Sequence, residues 1–352
     1  MTTTQYGKAM YFEHPYAVPQ PYAIPQSQLA LRPPNRMNLR RNATLRYFLI
    51  CMGSLCCLLI IGTVISLFVY FYFRYRNNVS SLLSYPEFVC SQGPCGCPNY
   101  NYGQPSTSRI VGGKDVLPFT YPWLVTIVDQ YGIDPFCAGF IISYNTILTA
   151  AHCLIGRNPK QLQILARIHD LRQFNGERYD IEKWYIHPEY TFNDSMQLND
   201  IALVKINRAF SYDLRPCCLP SVRSSMYPEP KTAAVASGWG KLASKPNSRS
   251  SHILQHVVMP IVDENNRKCR QSMVDSNRQL CAGYDKLSID TCSGDSGSPL
   301  LVVEYSNKKQ GHFVATGIVS YGNTQCDASI SSGVYTRVGF YLPWIERILS
   351  NV

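Results

Sequence analysis

The hydrophobic pattern divides the chain into two unlike parts. Residues 48–73 form a run of apolar and small side chains without one charge. About 20 apolar residues in an α-helix span the hydrocarbon core of a bilayer, so this run predicts a transmembrane helix. A cleaved signal peptide is the alternative, but its apolar stretch would be shorter and closer to the N-terminus.

The second part, residues 110–352, consists of short β-branched and aromatic runs separated by turn residues. Many short strands without intervening helices are typical of an all-β sandwich or a pair of barrels. Only the C-terminal stretch LPWIERILSNV has a helical pattern. We therefore expect two packed β-barrels with the chemistry in the cleft between them. The predicted strand runs are TYPWLVTIV, FIISYNTIL, IALVKI, HVVMPIV, LLVVEY, FVATGIVSYG and GVYTRV.

The remaining segments have little with which to build a core. Residues 1–47 form a disordered tail rich in proline and tyrosine, with the tandem hexapeptides PYAVPQ and PYAIPQ. Such proline spacing favours either an extended polyproline segment that docks on an aromatic groove or an unstructured linker. Residues 74–109 form a stem and pro-segment too short for a further folded module.

The charge of the chain is concentrated beside the apolar run. Residues 1–76 hold eight basic and one acidic side chain, and thus carry +7 of the formal net charge of +10. The rest of the chain carries +3, so no nucleic-acid partner is predicted. Because the positive charge precedes the apolar run, we expect a cytosolic N-terminus and an extracellular or lumenal C-terminal part.

Cysteine usage agrees with this orientation, since eleven of the fourteen cysteines follow the apolar run. An oxidising compartment allows such cysteines to form disulfides. A zinc site built from Cys95, Cys97, His252 and His256 is the alternative. However, Ile253 occupies the position where a metalloprotease helix carries its glutamate, and the surrounding residues predict a strand. We therefore expect no metal and no cofactor.

Three separated motifs carry nucleophilic chemistry. His152 lies in TAAHC, Asp200 in NDIALV and Ser296 in GDSGSP. A serine hydroxyl becomes a nucleophile at neutral pH when a histidine accepts its proton, and a buried aspartate fixes the tautomer of that histidine. Each motif alone is weak, but the three together in the order His, Asp, Ser are specific.

With these motifs, residues 110–352 resemble the trypsin/chymotrypsin-type (S1 family) serine proteases, and the whole chain resembles the type II transmembrane serine proteases. The resemblance implies two packed six-stranded antiparallel β-barrels with a C-terminal helix, preceded by the single transmembrane helix. It implies that His152, Asp200 and Ser296 are catalytic, in an acyl-enzyme mechanism. The backbone N–H groups of Gly294 and Ser296 would form the oxyanion hole.

The same resemblance identifies an activation site. Arg109, followed by Ile110-Val-Gly-Gly, matches the sequence at which the family's zymogens are cut. The freed Ile110 amine would be buried against the carboxylate of Asp295, which would order the site. The activator would be another trypsin-like protease or the enzyme itself, because Arg109 is a suitable P1 residue.

Substrate selection is implied by residues that match the family's specificity pocket. Asp290 would lie at the base of that pocket and select Arg or Lys at P1, while Gly322 and Gly333 keep it open. Ser320, Tyr321 and Gly322 match the strand that pairs with the substrate backbone, and Ser320 also matches the serine that supports Asp200. The implied partners are protein substrates, serine protease inhibitors and membrane lipid.

The resemblance implies three disulfides within the protease domain. It also implies that Cys218 matches the cysteine that retains the pro-segment, through Cys90, Cys95 or Cys97. With eleven cysteines one thiol stays free or intermolecular, and Cys217 could hold a second stem cysteine. The sequence does not choose among these pairings. The three internal bridges are Cys137–Cys153, Cys269–Cys281 and Cys292–Cys326.

Some positions depart from the family pattern. Ser298 replaces the second glycine of GDSGG, and it would impair activity if that position requires a glycine conformation. Tyr321 replaces the usual tryptophan, Ser332 replaces a common proline, and the Cys269–Cys281 loop is two residues shorter than in trypsin. From these departures together we expect altered subsite preference beyond P1. A catalytically weak homologue that acts as a cell-surface binding or adhesion protein is the alternative function, and an ectodomain shed by a cut in the stem is a further possibility.

Three glycosylation sequons test the orientation. Asn193 belongs to a sequon in a loop expected at the edge of the cleft, on the outer side of the membrane. Asn78 belongs to another, close to the membrane. Asn42 should be cytosolic and unmodified.

Overall fold

The structure is a computed structural model, and its contacts divide the chain into the units Met1–Tyr72 and Phe73–Val352. Each is treated by itself below. The structure describes residues 36–82, 86, 88–91, 93–98, 114–173, 176–193, 196–221, 227–240, 250–284, 295–322 and 332–350.

The apolar run lies within one long helix, α1 (Arg36–Leu82), which extends beyond the predicted span at both ends. Its segment Thr44–Arg74 has a mean hydropathy of 2.6 over its most apolar window. In the described part of the chain this is the one helix long and apolar enough to cross a membrane, and none of that window is buried in protein. A core helix of a soluble protein would bury such residues.

The elements that follow α1 are mostly short strands, with a few brief helical segments. A 3-10 helix at Ala151–Cys153 and another at Pro159–Gln161 accompany two α-helices. In chain order the elements are β1 (Val89–Cys90), β2 (Lys114–Asp115), β3 (Leu124–Asp129), β4 (Cys137–Ser143), β5 (Thr146–Thr149), β6 (Leu162–Ala166), β7 (Glu177–Ile186), β8 (Thr191–Asn193), β9 (Met196–Leu198), β10 (Ala202–Ile206), β11 (Ala233–Gly238), β12 (Gln255–Val262), α2 (Arg267–Ser272), β13 (Gln279–Ala282), β14 (Pro299–Tyr305), β15 (Gln310–Tyr321), β16 (Gly333–Arg337) and α3 (Val338–Ser350).

The first barrel is closed by six antiparallel strands in the order β10, β5, β4, β3, β6, β7. Large apolar side chains such as Ile127, Phe140 and Leu148 fill it and are fully buried. The run FIISYNTIL, predicted as one strand, forms β4 and β5, because the chain turns at Tyr144 and Asn145. The separate hairpin of β8 and β9 lies just before Asp200 in the chain.

The second barrel contains the six strands β14, β11, β12, β13, β16 and β15, and the pairing of β15 with β16 closes it. The two six-stranded barrels and the C-terminal helix confirm the predicted fold of the protease part. Helix α3 follows β16 directly and buries Val338, Tyr341 and Ile345 on one face, at the three- and four-residue spacing of an amphipathic helix. Pro343 lies inside this helix.

Part of the stem packs on the second barrel. Strand β1 pairs in parallel with β15, and the buried Phe88 ring lies 5.0 Å from the Phe313 ring, edge to face. Two stem disulfides, Cys90–Cys97 and Cys95–Cys218, answer the pairing question that the sequence left open. Both sulfurs of the Cys95-Gly-Cys97 segment are therefore oxidised, so the alternative zinc site lacks its thiolates.

Cys217 does not hold a stem cysteine, because it is a buried free thiol. Burial raises the pKa of the Cys217 thiol, which keeps it protonated and unreactive. The structure also contains the disulfides Cys137–Cys153 and Cys269–Cys281. Cys292 and Cys326 lie outside the described residues.

Candidate active site

His152 and Asp200 meet where two strands of the first barrel pair. Thr149 at the end of β5 faces Ala202 on β10, so the turn after β5 and the residues before β10 lie side by side. The backbone N–H of His152 donates to Asp200 Oδ1 over 2.9 Å. Its ring atom Nδ1 lies 2.8 Å from Asp200 Oδ2. A proton on Nδ1 that faces the carboxylate leaves Nε2 with a free lone pair, which is the form that can accept a proton.

The second barrel supports the Asp200 carboxylate. Ser320 on β15 donates its hydroxyl proton to Asp200 Oδ2 over 2.5 Å. Thr336 on β16 donates to the backbone carbonyl of Asp200 over 2.8 Å. The Asp200 side chain is only 1% exposed, and a buried carboxylate is costly unless donors surround it. Here the His152 and Ser320 donors fulfil that condition.

Asn199, the residue before Asp200, has a left-handed backbone with φ of 55°. Asparagine tolerates this conformation better than most residues. Its side-chain amide donates to the carbonyl of Glu189 over 2.6 Å, and its Oδ1 accepts a hydrogen bond from Arg278 over 3.1 Å. The motifs alone assigned no role to Asn199, although its position inside NDIALV was the available signal.

Ser296 lies on a turn beside the His152 segment. The Ser296 carbonyl accepts a hydrogen bond from the backbone N–H of Ala138 over 2.7 Å, and lies 3.8 Å from Cys153 Sγ. Gly297 has φ of 85°, and a Cβ there would collide with the Ala138 carbonyl and the Thr149 hydroxyl. Among the described residues, no hydrogen bond joins the His152 ring to the Ser296 hydroxyl.

Ser298 does not occupy a glycine conformation. Positive φ angles occur at five non-glycine residues of the described chain, and Ser298 is not among them. Its buried hydroxyl donates to the Asp295 carbonyl over 2.7 Å, and its backbone N–H donates to the same oxygen over 3.0 Å. The impairment expected if this position needed glycine therefore has no basis in the backbone.

The sequence of residues 110–345 matches the family profile described as Trypsin. The chain belongs to the trypsin family. It is a serine endopeptidase, which agrees with the names of its relatives.

Three proteins with similar sequences show how far the similarity of this trypsin-family protease extends. It is 32% identical to "Melanization protease 1" of Drosophila melanogaster, with 70% of this chain and 67% of the relative covered. It is 29% identical to the "Clotting factor G beta subunit" of Tachypleus tridentatus, with 70% and 81% covered. It is 32% identical to the "Phenoloxidase-activating enzyme" of Bombyx mori, with 68% of this chain and 60% of the relative covered.

The carboxylate of Asp295 packs against two glycines of the protease domain. Its Oδ1 accepts a hydrogen bond from the backbone N–H of Gly240 over 2.8 Å. A Cβ at Gly238 or Gly240 would overlap this carboxylate, so a larger residue at either position would displace the Asp295 side chain. Arg109 and Ile110, the predicted activation site, lie outside the described residues.

Only part of the predicted specificity pocket is described. Gly333 is buried in β16, and Gly322 follows the end of β15. The Tyr321 hydroxyl donates to the Ser272 carbonyl over 2.9 Å, and burial raises the pKa of this phenol. Asp290 and Gly294 lie outside the described residues, whereas Asn193 ends β8 in the hairpin before Asp200.

Within the part of the chain that the structure describes, one group of side chains comes close enough to bind a metal, namely Cys137, His152 and Cys153. Both sulfurs of this group belong to one disulfide, so they cannot act as thiolate ligands.

A separate cluster of charged and polar side chains surrounds Glu177 on the first barrel. Its Oε1 lies 3.2 Å from Arg167 Nε, and its Oε2 accepts a hydrogen bond from the Ser211 hydroxyl over 2.7 Å. Burial raises the pKa of Glu177, but these donors and Tyr179 outweigh it and lower the pKa overall.

Proposed function

We propose that Ser296, His152 and Asp200 form the catalytic triad of a membrane-anchored, zymogen-activated endopeptidase that cuts after Arg or Lys. The observation that carries the proposal is the His152 Nδ1 to Asp200 Oδ2 distance of 2.8 Å, with Ser320 as a further donor to the same carboxylate oxygen. This pair makes His152 a base, and the Ser296 turn lies beside it.

In the proposed reaction, Ser296 Oγ forms a bond to the scissile carbonyl carbon while its proton moves to His152 Nε2. The backbone N–H groups of Gly294 and Ser296 stabilise the resulting oxyanion. The C–N bond then breaks, and His152 gives its proton to the leaving amine. Water, deprotonated by His152, hydrolyses the acyl-enzyme and restores Ser296.

The Arg or Lys preference rests on Asp290 at the base of a pocket kept open by Gly322 and Gly333. A buried carboxylate selects a cationic P1 side chain because each charge would otherwise be unpaired away from water. The substrate backbone would pair with Ser320, Tyr321 and Gly322. Inhibitors of serine proteases that present Arg or Lys at P1 would bind the same cleft.

Activation by cleavage between Arg109 and Ile110 is supported by the surroundings of Asp295. Gly238 and Gly240 leave room for the carboxylate of Asp295, which we propose as the partner of the Ile110 amine. After this cut, the Cys95–Cys218 disulfide keeps the stem attached to the protease domain. One relative is named as an activating enzyme, which favours protein precursors as substrates of this chain too.

The membrane anchor is supported by the exposed apolar segment Thr44–Arg74 and by the positive charge that precedes it. The disulfides after this segment favour an oxidising compartment for the protease domain. We therefore place the N-terminus in the cytosol and the protease domain outside, in contact with membrane lipid through α1.

The test is peptide hydrolysis by the full-length chain in mild detergent, before and after a cut at Arg109. Substrates are matched peptide amides with Arg, Lys or Phe at P1, and a Ser296→Ala variant is the control. We expect activity on Arg and Lys that appears after the cut and disappears in the variant. Confirmed cleavage at Arg109 without any activity would contradict the proposed triad. Equal activity on the substrate with Phe at P1 would contradict the proposed pocket.

A further inference from the structure

Gln279, the first residue of β13, is a polar side chain that is only 2% exposed. Its Nε2 donates to the carbonyl of Gln197 over 2.8 Å and to the Tyr321 hydroxyl over 3.1 Å. Its Oε1 accepts hydrogen bonds from the backbone N–H groups of Val274, over 2.8 Å, and Asp275, over 3.2 Å. The amide thus uses both of its donors and both of its acceptor positions.

The partners fix the orientation of this amide. Backbone N–H groups can only donate and a backbone carbonyl can only accept, so exchanging Oε1 and Nε2 would place donors against donors. A buried amide with four satisfied hydrogen bonds holds its neighbours in one geometry, because breaking any bond leaves a polar group without water. Gln279 is therefore a fixed connection rather than an adaptable contact.

The connection joins three segments that are far apart in sequence. Gln197 lies in β9, in the hairpin that precedes Asn199 and Asp200. Val274 and Asp275 lie in the loop after α2. Tyr321 ends β15, and its hydroxyl also donates to the Ser272 carbonyl in α2. The phenol is thereby held at both its donor and its acceptor side.

These segments border the acyl side of the proposed cleft. Tyr321 belongs to the strand Ser320–Gly322 that we propose pairs with the substrate residues before the scissile bond. The hairpin of β8 and β9 precedes Asn199 and Asp200 in the chain and β9 contacts β15, so we take this hairpin as the neighbouring edge of the cleft. Since one buried amide bonds to both, the distance between the edge and the Tyr321 ring depends on Gln279.

We infer that Gln279 is a positioning residue that sets the shape of the subsites for substrate residues N-terminal to P1, acting through Tyr321 and the β8–β9 hairpin. This inference rests on the proposed cleft. Without the Gln279 amide, the Tyr321 ring and the hairpin are free to move apart, and the binding of longer substrates weakens. P1 binding does not use these contacts, and Asp200 keeps its own hydrogen bonds to His152, Ser320 and Thr336 when they are lost.

The test compares two substrates on the full-length chain cut at Arg109. One is an arginine amide with no residue before P1, and the other is a tetrapeptide amide with Arg at P1. The variants are Gln279→Leu and the milder Tyr321→Phe, which keeps the ring. Tyr227→Phe is the matched control, because it removes a phenol hydroxyl that donates to Glu304 in a different environment.

We expect Gln279→Leu and Tyr321→Phe to lower kcat/KM for the tetrapeptide about tenfold, mainly through a higher KM, as the loss of buried hydrogen bonds predicts. In Gln279→Leu the arginine amide should be hydrolysed at the wild-type rate with an unchanged pH profile, and Tyr227→Phe should leave the hydrolysis of both substrates unchanged. Equal losses on both substrates, or no loss on either, would overturn the inference. If Gln279→Leu does not fold, Tyr321→Phe decides: a larger loss of kcat/KM on the tetrapeptide than on the arginine amide supports the inference, and equal losses overturn it.

A binding measurement separates this inference from the proposed catalytic function. Calorimetry with the tetrapeptide is performed on Ser296→Ala, with and without Gln279→Leu. Weaker tetrapeptide binding in the double variant supports the positioning role, whether or not the wild type hydrolyses the peptide. A wild type without hydrolysis would count against the proposed triad alone. Equal binding by both proteins contradicts the positioning role.

Discussion

The Tyr341 hydroxyl on α3 donates a hydrogen bond to Asn199 Oδ1 over 2.9 Å. This contact links the C-terminal helix to the residue that precedes Asp200. Arg278 donates to the same oxygen, so one side-chain carbonyl receives donors from α3 and from the loop before β13. Together they hold Asn199 in its left-handed conformation and thereby fix where Asp200 meets His152.

Tyr341→Phe removes one of these two donors without changing the packing of the ring. We expect a loss of about 1–2 kcal/mol in the free energy of unfolding, because a buried hydrogen bond is lost. We also expect a lower kcat with little change in KM, since Asp200 is positioned less well. Thermal unfolding and steady-state kinetics measure the two effects. Tyr284→Phe, which removes a buried hydrogen bond to the Val258 carbonyl, is the control. If Tyr341→Phe loses stability but keeps its kcat, Tyr341 is only structural.

Acidification should weaken the packing of α3. Burial lowers the pKa of His187, and Arg278 and Arg347 act in the same direction while Glu189 opposes them. The His187 ring packs against Tyr341 and Trp344. Because the folded pKa lies below the ordinary value of 6.5, the unfolded chain binds the proton more readily as the pH falls through that value.

The expected result is a melting temperature that declines below pH 6.5, with a smaller decline in His187→Gln. Thermal scans between neutral and mildly acidic pH measure this. His169→Gln provides the comparison, because burial lowers the pKa of His169 too, without contact to the α3 aromatic rings in the described structure. Identical pH dependence in wild type and His187→Gln would show that His187 does not contribute.

Local sequence patterns predicted the overall fold correctly, but they did not predict every strand. Strand β7 escaped the sequence pattern because Glu177, Arg178 and Asp180 interrupt its apolar positions, although Tyr179 and Ile181 face the core. Helix α2 begins where the Asn266 side chain accepts from the Lys268 N–H, a capping signal that was not used. Strands β6, β11 and β13 were also absent from the predicted runs.

The connections around the site depend on contacts between distant residues. The sequence motifs suggested His152, Asp200, Ser296 and Ser320, since each has a recognisable local setting. Gln279 and Gln197 are 82 residues apart in sequence, and no local pattern reveals that their atoms meet. In the same way, the choice of Cys95 as the partner of Cys218 depends on how the stem packs on β15.

Ser298→Gly tests whether the departure from the family pattern at this position limits activity. Ser298 has an ordinary backbone conformation, and its hydroxyl bonds to the Asp295 carbonyl. Glycine would remove this bond and add freedom to the unfolded chain, so we expect about 1 kcal/mol lower stability and no gain in kcat/KM. Ser298→Ala separates the hydroxyl from the backbone effect. A several-fold gain in activity in Ser298→Gly would show that the serine restrains the active-site turn.

The orientation of α1 can be read from three sequons on either side of its apolar segment. Oligosaccharide transfer occurs only on the lumenal side, so the proposed topology predicts a glycan at Asn193 and none at Asn42. Asn78 lies near the end of α1, and the proposed topology places it on the lumenal side, close to the membrane. Endoglycosidase treatment of the full-length chain from cells should therefore produce a mass shift that decreases in Asn193→Gln and is unchanged in Asn42→Gln. A shift that depends on Asn42 would reverse the topology, because the proposed cytosolic side would then be lumenal.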